Sequence, residues 1–475
     1  MNSDFASRRP ARGASLSGFI ARACLSTLSC WLPTATGAVA KEWPPRAQEP
    51  LPAPPPALTV AEKAADLEAL LTFVRDVHPD PYWYHDRAIW QRAEQGLRER
   101  LAALDDAAFT WELAQLVALL HDGHSVLVRR RFALEERTLV PIEVRWLADG
   151  PFVVATTDTA RVLLGGRLVS IGGIAMAELA ARLGRGIGAD NEPDLHQRLP
   201  RALNRPWLLH QVGVAGGGDG IRVVVDHGDG GTPTALVVAP VPGEQPFAQR
   251  VRTAEGVDLV RERHPERKFF AEELPELDAL YVRLRAVEDD GDQSLAPFLA
   301  GLPRLAASRL VHRLVIDVRG NPGGSNDHVR AFVRDLQTSE YDAAGRLFVL
   351  TDGATFSAAQ NLCTWLERDT HALFVGAPTG GRPNHFGDAQ VRMLPATGAL
   401  VAISSRRWQD SAPDDARAFL APDLPVPMTF ADLLAGRDPV LASVGTAREA
   451  LPEVGDRPRW RRASQRSVPT LRNGR

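Results

Sequence analysis

The sequence predicts an α/β protein whose most informative part is a largely parallel sheet, preceded by a helical region and a smaller β-rich one. Three observations predict this. Between residues 280 and 439, short apolar runs alternate with helix-period stretches: 314–318, then 327–336, then 347–350, then a helix from near Ser357, then 372–375. Strand–helix–strand repeats of this kind fold through right-handed crossovers into a parallel sheet. Upstream, from about 139 to 242, β-rich segments (142–146, 152–155, 221–225) are separated by glycine-rich turns. Further upstream, apolar residues recur at helical spacing.

In chain order, Arg8, Arg9 and Arg12 precede a moderately apolar stretch over about 16–32, and Ala38-Val39-Ala40 follows it. A basic start, an apolar segment and a small-x-small site are the parts of an export signal. Residues 1–40 are therefore expected to be a signal peptide, and the protein periplasmic or secreted. Thr27-Leu28-Ser29-Cys30 is a poor lipid-attachment box. Residues 41–57 are proline-rich and read as a linker. A helical N-terminal domain is expected over 58–126. Thr59 and Glu62 have the spacing of a capping box, and Leu67, Leu70, Leu71 and Val74 follow at helical spacing. A second helix is expected over 89–104 and a third over 111–120, where Leu113, Leu116, Val117 and Leu120 form one face. These stripes read as core faces. Residues 139–242 should form a mostly β domain with one helix near 176–183. Residues 243–274 read as a charged connector, 275–441 as the α/β core, and 442–475 as a disordered basic tail.

Composition narrows the function. A chain of 475 residues is too long for one ordinary core. With 44% apolar and 24% charged residues the balance is that of a globular protein. A net charge of −3 argues against nucleic acid as the main partner. No later stretch reaches the ~20 unbroken apolar residues of an integral membrane span. Cys24 and Cys30 lie in the leader, so its removal leaves Cys363 alone and no intramolecular disulfide to form. Lysine occurs only at Lys41, Lys63 and Lys268.

Ser357 lies where a strand end passes into a helix start. A serine there stands at the C-terminal edge of a parallel sheet, where α/β ligands bind, and the helix N-terminus offers free N–H groups to a developing oxyanion. The ordinary alternative is a helix N-cap. Gly323-Gly324 follow a buried strand; backbone without side chains approaches a carbonyl closely and can aim two N–H groups at it. The ordinary alternative is a tight turn. His121 and His124 share one turn, but there is no H-E-x-x-H, no cysteine pair at ligand spacing, no phosphate-loop pattern and no G-x-S-x-G elbow. No metal and no cofactor are expected.

These segments carry a family resemblance. Leu-Val-Ile-Asp-Val-Arg-Gly-Asn-Pro-Gly-Gly (314–324) resembles the signature strand and turn of the tail-specific, or C-terminal processing, serine peptidases. Residues 350–359 resemble the family's nucleophile segment, 375–381 the segment downstream of it, and His121-Asp122-Gly123-His124-Ser125 its D-G-H-[ST] motif. Residues 164–173 are similar to the core of a PDZ domain. The matches fall in the family's order and span roughly 58–441. The resemblance implies a crotonase/protease-like α/β core (the ClpP/crotonase superfamily) with a helical N-terminal cap and a PDZ-like β domain. It implies Ser357 as nucleophile, with Gly323 or Gly324 and the N–H of Ala358 forming the oxyanion hole.

One branch of the family uses a lysine base just after its Val-Gly-x-Pro-Thr motif. Arg382 holds that place here, and arginine stays protonated. No lysine follows Lys268, so a Ser-Lys dyad within the core is excluded. The tricorn-like branch takes a histidine from the N-terminal region, and His124 matches it; a neutral imidazole is poised to accept a hydroxyl proton. His385 is the alternative base. Triad logic expects an orienting carboxylate. Asp415 is the best-placed candidate, with Asp410, Asp414 and Asp423 as competitors. The implied partner is a peptide or protein substrate. Two other readings use the same fold: a non-catalytic protein binding peptides or apolar ligands, and an acyl-CoA enzyme of the crotonase type.

Overall fold

The computed structural model describes residues 56–128, 138–216, 220–243, 247–254 and 257–450. The expected signal peptide, nearly all of the linker and the tail from 451 lie outside them.

Helix α1 (Val60–Val77) starts at a complete capping box: Thr59 accepts the Glu62 N–H, and the Glu62 carboxylate accepts the Thr59 N–H. Asp86 caps α2 (Arg87–Arg100) and Asp105 caps α3 (Asp106–Ala118). Both helices begin earlier than apolar periodicity places them, at positions set by their caps. The three helices bury Leu67, Leu70, Phe73, Leu97, Phe109 and Leu113 against residues from far along the chain, Leu394, Val401 and Ile403. Buried Asp66 fixes that junction by accepting the N–H groups of Ala396 and Thr397, each at 2.7 Å.

Beyond α3, a short turn leads into β1 (Val126–Val128). The β-rich part follows with β2 (Ile142–Leu147), β3 (Gly150–Thr156) and β4 (Arg167–Ile171). Helices α4 (Met176–Gly184), α5 (Glu192–Leu203) and α6 (Pro206–Gln211) come next, then β5 (Ile221–Asp226) and β6 (Thr234–Val238). The pairs β2–β3, β3–β4, β4–β5 and β5–β6 are all antiparallel. The periodicity predicts only α4 here. Helix α5 has a polar stripe and two prolines, which mask its period; its start is nonetheless marked by Asn191, whose side chain accepts the Asp194 N–H, and by a proline in the first turn.

The core sheet begins with β7 (Phe269–Leu274) and β8 (Ala279–Leu284). It continues through α7 (Leu295–Ser308), β9 (Arg313–Asp317), α8 (Arg330–Gln337), β10 (Leu347–Thr351), α9 (Ala358–Asp369) and β11 (Leu373–Gly376). Two nested antiparallel pairs follow, β12 (Asn384–Gly387) and, between it and its partner, β13 (Gln390–Met393) with β14 (Leu400–Ile403), the outer partner of β12 being β15 (Arg406–Gln409); then come β16 (Leu424–Pro425) and α10 (Pro439–Ala450). The sheet order is β7-β8-β9-β10-β11-β16, antiparallel at β7–β8 and parallel thereafter.

Parallel strands laid down in chain order with crossovers of one hand place all their helices on one face. So Leu314 and Ile316 of β9 pack with Leu299 of α7, Phe332 of α8 and Leu362 of α9. The intervening Val315 points to the other face, as strand alternation requires. There it meets Phe348, Val375 and, from α10, Val440 and Val444.

Two boundaries are corrected. Residues 269–274 are not connector but an edge strand; Glu272 and Glu273 make them read as charged, while Phe269, Phe270 and Leu274 are buried. The core does not end at 441, because α10 continues to Ala450 and covers the face that the crossover helices leave open. Arg319 ties the strand end to α10: it donates to Asp317 and, through both terminal nitrogens, to Asp438 at 2.8 Å each.

Candidate active site

Ser357 stands at the head of α9 with φ 52° and ψ −126°. That conformation costs a non-glycine residue about 1–3 kcal/mol and survives where the surroundings enforce it. Its hydroxyl makes no cap hydrogen bond with the helix. Oγ instead lies 2.9 Å from His124 Nε2. The plain N-cap reading of this serine therefore does not describe its side chain.

The turn after β9 packs directly under Ser357. Phe356 donates its N–H to the Asn321 carbonyl at 3.0 Å, locking the two turns together. Gly323 has φ 105°, and a Cβ there would lie 2.5 Å from Ser357 Cβ and 2.7 Å from the Ala358 nitrogen. Any side chain at 323 would thus fill the space in front of the helix N-terminus. Gly323 itself donates its N–H to Asn321 Oδ1 at 2.9 Å. Of the three expected donors, the N–H groups of Gly324 and Ala358 are those that make no hydrogen bond among the described residues.

His124 is carried by the turn between α3 and β1. Asp122, fully buried, accepts the His124 N–H at 2.9 Å and the Ser125 hydroxyl, and His78 Nε2 lies 3.6 Å away. Ser125 Oγ in turn accepts the Ser404 N–H at 3.0 Å, and β1 pairs antiparallel with β14. The imidazole stacks on Phe356 at 4.4 Å, with the His385 ring parallel to it at 5.8 Å. Loss of hydration pushes the His124 pKa down to about 3; the Asp122 charge opposes this, while His385 and Arg198 add to it. The ring is therefore neutral, the form that accepts a proton. Asp122 remains ionised: burial alone would raise its pKa, but the His78 imidazole 3.6 Å away and the hydroxyl donated by Ser125 hold it below the usual carboxylate range.

The other expected residues are placed elsewhere. His385 is buried, with Nδ1 at 3.1 Å from the Arg382 carbonyl, and makes no hydrogen bond to Ser357. The structure does not bring Asp415 to the imidazole; its carboxylate is taken by Ser411 and Arg417. Asp410 accepts from Asn361, Asp423 from the Phe374 N–H, and Asp414 is exposed. The carboxylate on the Nδ1 side of His124 is Asp122, with Oδ1 at 3.8 Å. Its signal lies in the sequence, two residues before His124 in the same motif. Arg382, in the place of the other branch's lysine, stacks its guanidinium over Tyr84 at 4.2 Å.

No protein-family model matches this chain, and no curated protein matches it. Solved structures do. Mature CPAF matches with a TM-score of 0.56 at 14% identity, over 82% of this chain and 98% of that one. Mature CPAF complexed with lactacystin matches at 0.58, with 14% identity over 82% and 98%. The photosystem II D1 C-terminal processing protease matches at 0.38, with 17% identity over 77% of this chain and 93% of that one. The fold is thus the mixed α/β fold of mature CPAF.

Proposed function

We propose that the protein is a serine-type peptidase that cleaves peptide bonds through an acyl-enzyme on Ser357, with His124 as general base. The observation that carries this reading is the 2.9 Å approach of His124 Nε2 to a serine hydroxyl that its own helix does not use. The fold shared with mature CPAF supports it.

In this mechanism His124 Nε2 takes the Ser357 proton as Oγ attacks the substrate carbonyl carbon. Negative charge develops on the carbonyl oxygen, where the N–H groups of Gly324 and Ala358 and the N-terminal field of α9 stabilise it. Collapse of the tetrahedral intermediate breaks the C–N bond, and His124 returns the proton to the leaving amine. Water, deprotonated by the same imidazole, then releases the acyl group and restores Ser357. Asp122 faces Nδ1 and stabilises the imidazolium that forms between the two transfers.

The same reading makes residues 275–450 a crotonase-like core and residues 139–242 a PDZ-like domain that recognises an extended peptide or its terminal carboxylate. The motif at 164–173 and the β4–α4 order support the latter. Export to the periplasm or beyond follows from the leader sequence. Among the described residues no helix is long and apolar enough to cross a membrane.

Hydrolysis of an unstructured protein such as casein tests the proposal. Wild type should degrade it, and Ser357→Ala should be folded and inert. Residual hydrolysis by Ser357→Ala at the wild-type rate would overturn the assignment.

A further inference from the structure

We propose that Asp190 is a positioning residue for His124: its carboxylate clamps the Gly123–His124 turn to the backbone at Arg382 and so aims the imidazole at Ser357. The inference rests on the Ser357–His124 reading. Asp190 Oδ1 accepts the Gly123 N–H at 2.7 Å, and Oδ2 accepts the Arg382 N–H at 3.3 Å. Its own N–H donates to Asp194 Oδ2 at 3.1 Å. The next residue, Asn191, anchors the segment to the core by donating Nδ2 to the Ala418 carbonyl at 2.7 Å. One carboxylate from the β-rich part thus joins the histidine turn of the helical part to the core.

The packing leaves the turn little freedom. A Cβ on Gly188 would lie 2.3 Å from the Ser125 carbonyl oxygen. A Cβ on Gly123 would lie 2.7 Å from Asp194 Oδ2 and 2.8 Å from the Phe356 ring that supports the imidazole. A cavity of about 630 Å³, lined in part by Leu97, Leu116, His121, Ile187 and Arg382, lies behind this turn, with Asp190 in its wall.

The chemistry asks for a carboxylate. Only an ionised carboxylate accepts from two N–H groups with both oxygens, whereas an asparagine offers one acceptor and one donor. Asp190 is 2% exposed, and among the described residues it has no direct ion pair. The charged or titratable groups around it are Asp122, Asp194, Arg382, Tyr84 and His121, with Arg198 engaged by Asp194 at 2.7 Å. Burial, then the charges of Asp122 and Asp194, push its pKa up to about 7. Above that pH both oxygens accept; below it, one becomes a donor and a clamp bond is lost.

The test is the rate of fluorophosphonate labelling as a function of pH, with thermal melts in parallel. Wild type should label faster as pH rises through about 7. Asp190→Asn should melt near wild type, label about 10–100-fold more slowly at pH 8, as expected for a displaced catalytic group, and show no rise between pH 6 and 8. Asp194→Asn removes a like charge and should move the wild-type rise to lower pH. An Asp190→Asn protein that labels at the wild-type rate with the wild-type profile overturns the inference. So does an Asp194→Asn profile that does not move, which decides the matter if Asp190→Asn fails to fold. Absence of wild-type labelling would instead sink the peptidase reading itself.

Discussion

His124 Nε2 and Ser357 Oγ are separated by 233 positions in the chain and by 2.9 Å in space. Each group is held from its own side. Asp122 and Asp190 fix the histidine turn, and the Asn321–Phe356 bond and the packing of Gly323 fix the serine. The predictions below follow from that arrangement.

The two parallel-stacked histidines should behave differently. His124→Ala should lower labelling of Ser357 by the ~10²–10⁴-fold that general-base catalysis supplies. His385→Ala removes a ring with no bond to Ser357 and should leave labelling within a few-fold of wild type. Rates measured on both variants, with melts to show that each is folded, separate the two.

Gly323→Ala should be close to inactive. The new methyl would meet Ser357 Cβ at 2.5 Å and stand before the Ala358 N–H. Loss of an oxyanion donor alone costs about 10²–10³ in turnover. Gly301 serves as the control, because the space around its Cβ position is open. Gly301→Ala should match wild type in peptide hydrolysis.

Asp122→Asn should slow acylation while leaving Ser357 in place. The amide cannot offset an imidazolium charge, and one of its two ends is a donor facing groups that themselves donate, His124 N–H and Ser125 O–H. The expected loss is in kcat, with KM little changed, which steady-state kinetics on a peptide substrate would read.

Asp317 predicts a pH dependence of stability. Its buried carboxylate sits between Arg319 and Arg283. Burial alone would raise its pKa, but the two guanidinium groups hold it far below the usual carboxylate range. The unfolded chain therefore binds the proton first as pH falls, through about 4. The stabilisation is present above that pH and is lost below it. Asp317→Asn, which leaves two buried cations short of a partner, should cost about 3–5 kcal/mol at pH 7. Urea melts between pH 3 and 7 should show a weaker acid dependence in the variant than in wild type.

The central sheet is legible in the sequence because β9, β10 and β11 are buried on both faces and read as continuous apolar runs. Less legible are β7, where glutamates follow buried phenylalanines at a sheet edge, and α10, whose apolar stripe among the described side chains is Val440, Leu441 and Val444. Ser357, His124 and the glycine pair are legible through local motifs with local reasons. Triad logic places the carboxylate downstream at Asp415, which is spent on Arg417; Asp122, two residues before the histidine in the same motif, is the one that faces Nδ1. Asp190 carries no motif at all; only the fold brings it under Gly123.

The most direct test is mass spectrometry of the folded protein after reaction with a fluorophosphonate. A single adduct on the peptide containing Ser357, formed by wild type and absent from His124→Ala, is the result that a paired hydroxyl and imidazole require. A folded wild-type protein that forms no adduct, or a His124→Ala variant that forms it equally fast, would contradict the pairing on which the proposed chemistry stands.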